Sequence, residues 1–301
     1  MDVSVIIVNY NTKELLKNCI QSIINITRDL EYEIVVVDNN SSDNSVEMIK
    51  DFFPKVKVIV SKENEGFGRA NNKGAEKCSG KYILMLNSDT ILLNNAIKEF
   101  HAFFKNNKDV YNIGALGAVM QDGFGAVIHS YENFPTMKYF LKQNIKNAVD
   151  YDKILSKLKQ NNVIKMDDSI KKTNLKKVDY ITGADLFMEK RLFKELNGFD
   201  EDFFMYFEES HMQYRMSKLN KQRYVITSPK IIHLEGKSSI SNKRRVMFDK
   251  SMMMYFRKTN SRLKFNIFKS AYLLVTLVSF FTVRDYTFKD NLNYLKEYNY
   301  F

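Results

Sequence analysis

At 301 residues the chain is long enough to bury a full core, as one large α/β domain or one domain with an appendage. Its two cysteines, Cys19 and Cys78, argue against a disulfide framework and fit a reducing cytosol, and Val3–Val8 is too short and lacks the basic leader of a signal peptide. The net charge of +11 is concentrated: residues 236–301 carry 13 Lys/Arg against 4 Asp/Glu, hence +9, the kind of patch that meets an anionic membrane or nucleic acid.

The first hundred residues alternate strand and helix signals. Val3–Val8 reads as a buried strand running into Asn9-Tyr10-Asn11-Thr12, with Thr12 as helix N-cap. Leu15, Leu16, Cys19, Ile20, Ile23 and Ile24 then recur at helical spacing, which places Cys19 in the core. A second strand, Glu33–Val37, ends in Asp38-Asn39-Asn40-Ser41-Ser42-Asp43, and a helix follows through Val46, Met48, Ile49 and Phe52. The third strand, Lys55–Val60, leads to the polar run Asn64-Glu65-Gly66-Phe67-Gly68-Arg69-Ala70-Asn71-Asn72. This is not a dinucleotide fingerprint, because Asn71 stands where the third glycine belongs; it reads as a loop and helix start whose amides and Arg69 approach phosphate. The fourth strand, Tyr82–Leu86, is apolar without alternation, as in a strand buried on both faces, and stops abruptly at Asn87-Ser88-Asp89. Strands and helices spaced in this way indicate a mostly parallel, right-handed βαβ sheet. Four polar clusters at one edge of such a sheet describe a polar ligand's cleft.

The second half is less regular. A helix is expected over Ala96–Phe104 and a strand over Ile113–Met120. From 138 to 177 there are 11 lysines against 4 acidic residues, which reads either as a helical insertion over the cleft or, by default, as a solvated charged surface. Val178–Met188 reads as one strand with Gly183 in its middle, and Arg191–Leu196 as a short helix. Glu208 and Glu209 follow an aromatic run and open an amphipathic helix. Carboxylates there can act as helix caps, or as a general base tuned by desolvation. Arg223–Thr227 is a further strand, and His233 falls in a loop over residues 231–239. Ser270–Val283 is an uncharged stretch of 14 residues, shorter than the roughly 20 needed to cross a bilayer. An interfacial or re-entrant helix flanked by Lys264, Lys269 and Arg284 fits it, as does a buried helix closing the domain.

Taken in order, Val8-Asn9-Tyr10-Asn11, Val37–Asp43, Asn64-Glu65-Gly66-Phe67, Ala70-Asn71-Asn72-Lys73-Gly74 and Leu86–Thr90 resemble the motifs of family 2 glycosyltransferases. Thr182-Gly183-Ala184, Gly198-Phe199-Asp200-Glu201, Phe203–Glu209, and His233 with Gly236 and Ser238 continue the resemblance, which covers residues 1 to about 240. It is similar above all to the bacterial branch that includes rhamnosyltransferases of cell-surface polysaccharide assembly.

The resemblance implies a GT-A fold over 1–240 (interrupted by the 138–177 insertion); the +9 charge and the Ser270–Val283 run make 241–301 an expected basic, helical appendage that holds this domain at the membrane surface. The resemblance also implies an inverting transfer from a nucleotide diphospho-sugar, thymidine diphospho-rhamnose or a uridine diphospho-hexose, to a glycan or polyprenyl-diphosphate-linked acceptor. Asp38 matches the residue that reads the base; Asn9, Asn11, Asn40, Asn64, Arg69, Asn71, Asn87 and Ser88 complete the expected donor-binding set. Asp89 and His233 match the metal ligands, for Mn²⁺ or Mg²⁺, and Glu209, with Glu208 beside it, matches the catalytic base. Glu209 departs from the more common Asp, and His211 stands where many relatives carry an acidic residue. The expected location is the inner face of the cytoplasmic membrane. Three other readings remain: a nucleotidyltransferase-like enzyme, an inactive partner protein, and a basic nucleic-acid-binding protein. No nucleic-acid-binding motif accompanies the charge, so nucleic acid is not an expected partner.

Overall fold

The computed structural model describes residues 1–149, 173–234 and 242–282. Most of the 138–177 insertion, the Gly236 and Ser238 motif positions, and the tail beyond Thr282 lie outside the described residues. In chain order the elements are β1 (Val3–Asn9), α1 (Lys13–Ile26), β2 (Tyr32–Asp38), α2 (Ser45–Phe52), β3 (Lys57–Val60), α3 (Phe67–Lys77), β4 (Tyr82–Asn87), β5 (Thr90–Leu92), α4 (Ala96–Asn107), β6 (Ile113–Ala118) and β7 (Tyr131–Glu132). There follow α5 (Met137–Val149), β8 (Leu175–Val178), β9 (Tyr180–Ile181), β10 (Asp185–Glu189), α6 (Lys190–Glu195), α7 (Glu208–Lys218), β11 (Gln222–Ile226), β12 (Ile231–His233), α8 (Asn242–Thr259) and α9 (Arg262–Thr282). They form two compact units.

The larger unit takes in 1–134, 173–204 and 208–234. Its sheet has the order β3-β2-β1-β4-β10-β6-β11-β8. β1 is parallel to β2 and β4, and β2 to β3; β10 runs antiparallel to β4 and β6, and β8 antiparallel to β11. The unbroken apolar runs are explained by two cores. Val5, Ile7, Leu84 and Leu86 pack on one face with Leu16, Ile20, Phe100 and Phe104, whereas Ile6, Ile83 and Met85 pack on the other with Ala75, Phe193, Phe199 and Met212.

Three expectations are corrected. Val178–Met188 is not one strand. The Gln213 side chain accepts from Ile181 N (2.9 Å) and donates to Ile181 O (2.8 Å), tying β9 to α7, and after Thr182-Gly183-Ala184 the chain enters the sheet afresh as β10. The last residues of the lysine-rich 138–177 stretch belong to the sheet, because Leu175–Val178 pairs with β11. His233 lies not in a loop but in β12, which pairs antiparallel with β5 and sets His233 opposite Thr90.

The smaller unit takes in 135–149, 205–207 and 242–282. Asn144 Nδ2 joins α5 to α9, donating to Tyr272 O and Thr276 Oγ1 at 3.0 Å each. Phe140 packs against Phe207 and Phe248 with tilted rings and against Phe256 edge-on, and Ser251 Oγ donates to Met205 O at 2.7 Å. Tyr206 and Phe207 hold left-handed backbone (φ 72° and 66°), a conformation bulky residues seldom adopt. α9 starts at Arg262, eight residues before the uncharged stretch. No helix among the described residues is long and apolar enough to cross a membrane.

One buried carboxyl has no role in the clusters at the strand ends. Asp185 is fully buried; Oδ2 accepts from Ala118 N at 2.5 Å and Oδ1 has no partner among the described residues, so burial raises its pKa well above the ordinary value. An acid whose folded pKa is raised loses stability as pH climbs above its unfolded value of about 3.9. Asn does not titrate and keeps the acceptor. Asp185→Asn is therefore expected to be the more stable form, by a margin that grows about 1.4 kcal/mol per pH unit until the folded Asp ionises. Urea midpoints at pH 5 and pH 8 measure it; an equal difference at both would refute the account.

Candidate functional site

The parallel register lines up the carboxyl ends of three strands. Asn9 is the partner of Asp38, and Val8 that of Asn87. Asn9 Nδ2 donates to Asp38 Oδ2 (2.8 Å) and Ser41 Oγ (3.0 Å), while Asp38 Oδ1 accepts from Ser41 N (2.9 Å). Thr12 Oγ1 donates to Asn9 Oδ1 (2.7 Å) and lies 2.8 Å from Ser88 Oγ. Thr12 does occupy the N-cap position of α1, but its hydroxyl serves this cluster; Asp43 Oδ2 accepts from Lys13 N (2.8 Å) in its place. Asn11, with φ 55°, accepts from Ser42 N at 2.8 Å, which fixes the β2 loop from the β1 side.

The next loop is clamped by Asn39, which was not expected as a site residue. Its Nδ2 donates to Asn64 Oδ1 (2.9 Å) and Gly66 O (3.1 Å), and its Oδ1 accepts from Glu65 N (3.1 Å). Asn64 Oδ1 also accepts from Gly66 N at 3.0 Å. Gly66 carries φ 85°, and a Cβ there would lie 2.0 Å from Phe204 O, so this crossing of two backbones demands glycine.

Ser88 joins the first cluster and Asp89 begins a second. Asp89 Oδ1 lies 3.1 Å from His233 Nε2, and Asn87 Nδ2 lies 3.4 Å from the same nitrogen. The β5–β12 pairing produces this meeting across about 140 residues of chain, reinforced by Leu234 N donating to Asp89 O (2.9 Å). His233 Nδ1 is buried with no partner among the described residues.

The two glutamates differ in exposure. Glu208 is buried, with Oε2 unpartnered among the described residues, and packs beside Gly68 in the first turn of α3. Burial, together with the charge of Glu209, holds its carboxyl well above the usual carboxylate range. Glu209 is only partly buried, and desolvation lifts it to about 7. Burial thus raises both carboxyls, and the accessible member, Glu209, titrates near neutrality.

A model of glycosyl transferase family 2 matches residues 4–159, over half of the chain. The chain belongs to glycosyl transferase family 2. The poly(ribitol-phosphate) beta-glucosyltransferase of Bacillus spizizenii is 30% identical over 124 residues, 40% of this chain and 20% of that protein. The poly(ribitol-phosphate) beta-N-acetylglucosaminyltransferase TarP of Staphylococcus aureus is 30% identical over 38% of this chain and 36% of its own length. The chain thus spans a minor part of these curated relatives. A crystal structure of S. aureus TarS 1-349 superposes with TM-score 0.54 at 15% identity, covering 99% of this chain and 80% of that one. The likeness establishes the GT-A fold.

The family motifs divide between cleft and scaffold. Asn9, Asn11, Asp38, Asn64, Asn87, Ser88, Asp89 and His233 converge as described; Asn40 lies exposed in the β2 loop with φ 66°. Arg69 and Asn71 contact backbone: the exposed Arg69 donates through Nε to Glu201 O (2.9 Å), and the buried Asn71 through Nδ2 to Phe67 O one turn back (3.0 Å). Asn72 exchanges two hydrogen bonds of 2.9 Å with the Phe199 backbone, clamping Gly198-Phe199-Asp200 to α3. His211 is buried beside the Phe203 ring, its Nδ1 3.5 Å from Asp200 Oδ2, so it faces the interior of this unit. The backbone crossing at Gly66 is testable. Gly66→Ala is expected to lower stability by about 2 kcal/mol or more. Gly125→Ala, with φ 83° but nothing within 4 Å, should cost only about 1 kcal/mol. Denaturant midpoints compare them, and equal losses would remove the crossing as the cause.

Proposed function

We propose that this family 2 protein transfers a sugar, with inversion, from a nucleotide diphospho-sugar to a hydroxyl of a glycan acceptor in bacterial cell-surface polysaccharide synthesis. The observation that carries the reading is the Asp89–His233 pair, 3.1 Å apart, placed one residue beyond the Ser88–Thr12–Asn9–Asp38 cluster. A carboxylate and an imidazole at a strand-end cleft of amides and hydroxyls suit a diphosphate bound with a divalent cation. Names of the relatives weigh toward a uridine diphospho-hexose or its N-acetylamino form over thymidine diphospho-rhamnose. The acceptor is proposed to be polyprenyl-diphosphate-linked, reached at the inner face of the cytoplasmic membrane, with the basic tail unit resting on the anionic surface.

The residues fit Mn²⁺ or Mg²⁺ of one kind only. Among the described residues no group of three His, Cys, Asp or Glu side chains could cage an ion, so a dedicated all-protein site is not supported. Asp89 and His233 supply one oxygen and one nitrogen ligand, the sparse set typical of an ion shared with substrate phosphates. Such an ion, when bound, supplies Lewis-acid stabilisation of the leaving diphosphate. Asp38 and Asn9 fix the nucleotide edge: Asp38 already accepts two hydrogen bonds and retains lone pairs for a base N–H. Glu209 removes the proton from the attacking acceptor hydroxyl, and a base with pKa about 7 is matched to neutral pH. Burial and the charge of Glu209 raise the neighbouring Glu208 carboxyl well above the usual range, which disfavours a second charge in the pair.

The test is release of nucleoside diphosphate from a panel of sugar nucleotides, with and without a lipid-linked acceptor, in Mn²⁺, Mg²⁺ or chelator. Transfer should need the ion. Because the ionised base is the active form, transfer should rise about tenfold per pH unit below about 7 and level off above it. Glu209→Gln should lose roughly 10²- to 10⁴-fold in transfer while keeping nucleotide affinity. A variant that still transfers at the wild-type rate would take Glu209 out of the reaction; no turnover and no nucleotide-induced thermal shift with any donor would sink the transferase reading.

A further inference from the structure

The smaller unit contains a cleft that the transfer chemistry does not use. It measures about 560 Å³ and is lined by Arg257 at the end of α8 and by Arg262, Phe265 and Asn266 in the first turn and a half of α9. Neither guanidinium has a hydrogen-bond or ion-pair partner among the described residues. No acidic residue occurs between Asp249 and Asp285, while Lys250, Arg257, Lys258, Arg262, Lys264, Lys269 and Arg284 do. Two unpaired forks of N–H donors facing one hollow repel each other, and an oxyanion removes that repulsion while accepting from both.

The surface next to the cleft is apolar. Leu263, Ile267, Leu274 and Val278 are 72%, 63%, 65% and 50% exposed. At about 100° per residue they fall within roughly 60° of one another on α9. The opposite face, Phe265, Phe268, Tyr272 and Thr276, is buried. Lys264 flanks the stripe on one side, and Arg262 with Lys269 on the other. A helix with an exposed apolar stripe edged by cations lies in the plane of a lipid headgroup layer, its stripe dipping into the acyl boundary and its long basic side chains reaching up to phosphates.

We propose that the Arg257–Arg262 cleft binds the phosphate of an anionic lipid headgroup while the Leu263–Val278 stripe enters the interface. The cleft opens at the end of α9 where the stripe begins, so a lipid with its acyl chains along the stripe presents its phosphate to the two arginines. The occupant is a lipid rather than a soluble phosphate because a soluble ligand leaves the neighbouring stripe in water. The inference rests on the membrane-surface reading of the tail unit and is independent of the sugar-transfer reading.

The experiment is flotation of the full chain with phosphatidylglycerol/phosphatidylcholine vesicles and with phosphatidylcholine alone. Wild type should bind the anionic vesicles. R257A/R262A should weaken that binding about tenfold or more, on the scale of the surface contribution of two basic residues. I267S/L274S should weaken it as well, whereas the charge-matched surface variant K55A/K62A should bind as wild type. Equal binding by R257A/R262A would overturn the cleft and leave membrane attachment standing. Wild type that ignores all vesicles would overturn both, unless inorganic phosphate raised its melting temperature in an arginine-dependent way, which would instead assign a soluble anion. Lipid-free dimers dissociated by I267S/L274S, with no vesicle binding, would assign the stripe to a second copy. Nucleoside diphosphate release assayed alongside keeps failure of the membrane reading separate from failure of the transferase reading.

Discussion

The parallel register of β1 with β2 and β4 is the constraint on which the site depends. Pairing Asn9 with Asp38 and Val8 with Asn87 brings three loop starts to one edge of the sheet. Parallel strands buried on both faces cannot slip by a residue without turning a core side chain to the wrong face, so the edge is held by the whole core beneath it. The short hydrogen bonds among Asn9, Asp38, Ser41, Thr12 and Ser88 then cross-link the loops above. The polar groups at this edge are thus largely satisfied by one another.

Carboxylates in this protein take their character from burial. Asp38, Glu208 and Asp185 are all buried; both oxygens of Asp38 accept hydrogen bonds, whereas Glu208 and Asp185 each keep an oxygen without a partner among the described residues, and burial holds those two well above the usual carboxylate range. Glu209, one residue from Glu208 but partly exposed, falls between the two regimes and is poised near neutrality. The adjacent pair thus separates by environment, one kept neutral and one able to exchange protons with what lies outside.

Several residues of the motifs hold one part of the larger unit to another. Asn71 and Asn72 are neighbours in one motif, yet both spend their amides on backbone: one on its own helix, the other on the Phe199 segment. Gly66 serves a crossing with Phe204, and Arg69 a carbonyl of the Glu201 loop. These contacts join the Asn64–Gly74 stretch to the segment just ahead of Glu208 within the larger unit.

The amino-acid sequence by itself determined the strand and helix alternation of the first hundred residues, the family, and the polar clusters that close β1, β2 and β4. Periodicity and local turn chemistry encode these, and both act within a few residues along the chain. It did not determine what required distant partners. Gln213 breaks the expected Val178–Met188 strand from 32 residues away, β12 exists because β5 offers it an edge, and only that pairing carries His233 to Asp89. Nor did it show that Glu208 is buried while Glu209 is partly exposed, or separate the amides of Asn71 and Asn72, spent on backbone, from the converging ones of Asn9 and Asn39. Burial and hydrogen-bond geometry make those distinctions, and they are properties of the assembled sheet and the elements closed over it rather than of any local pattern of residues.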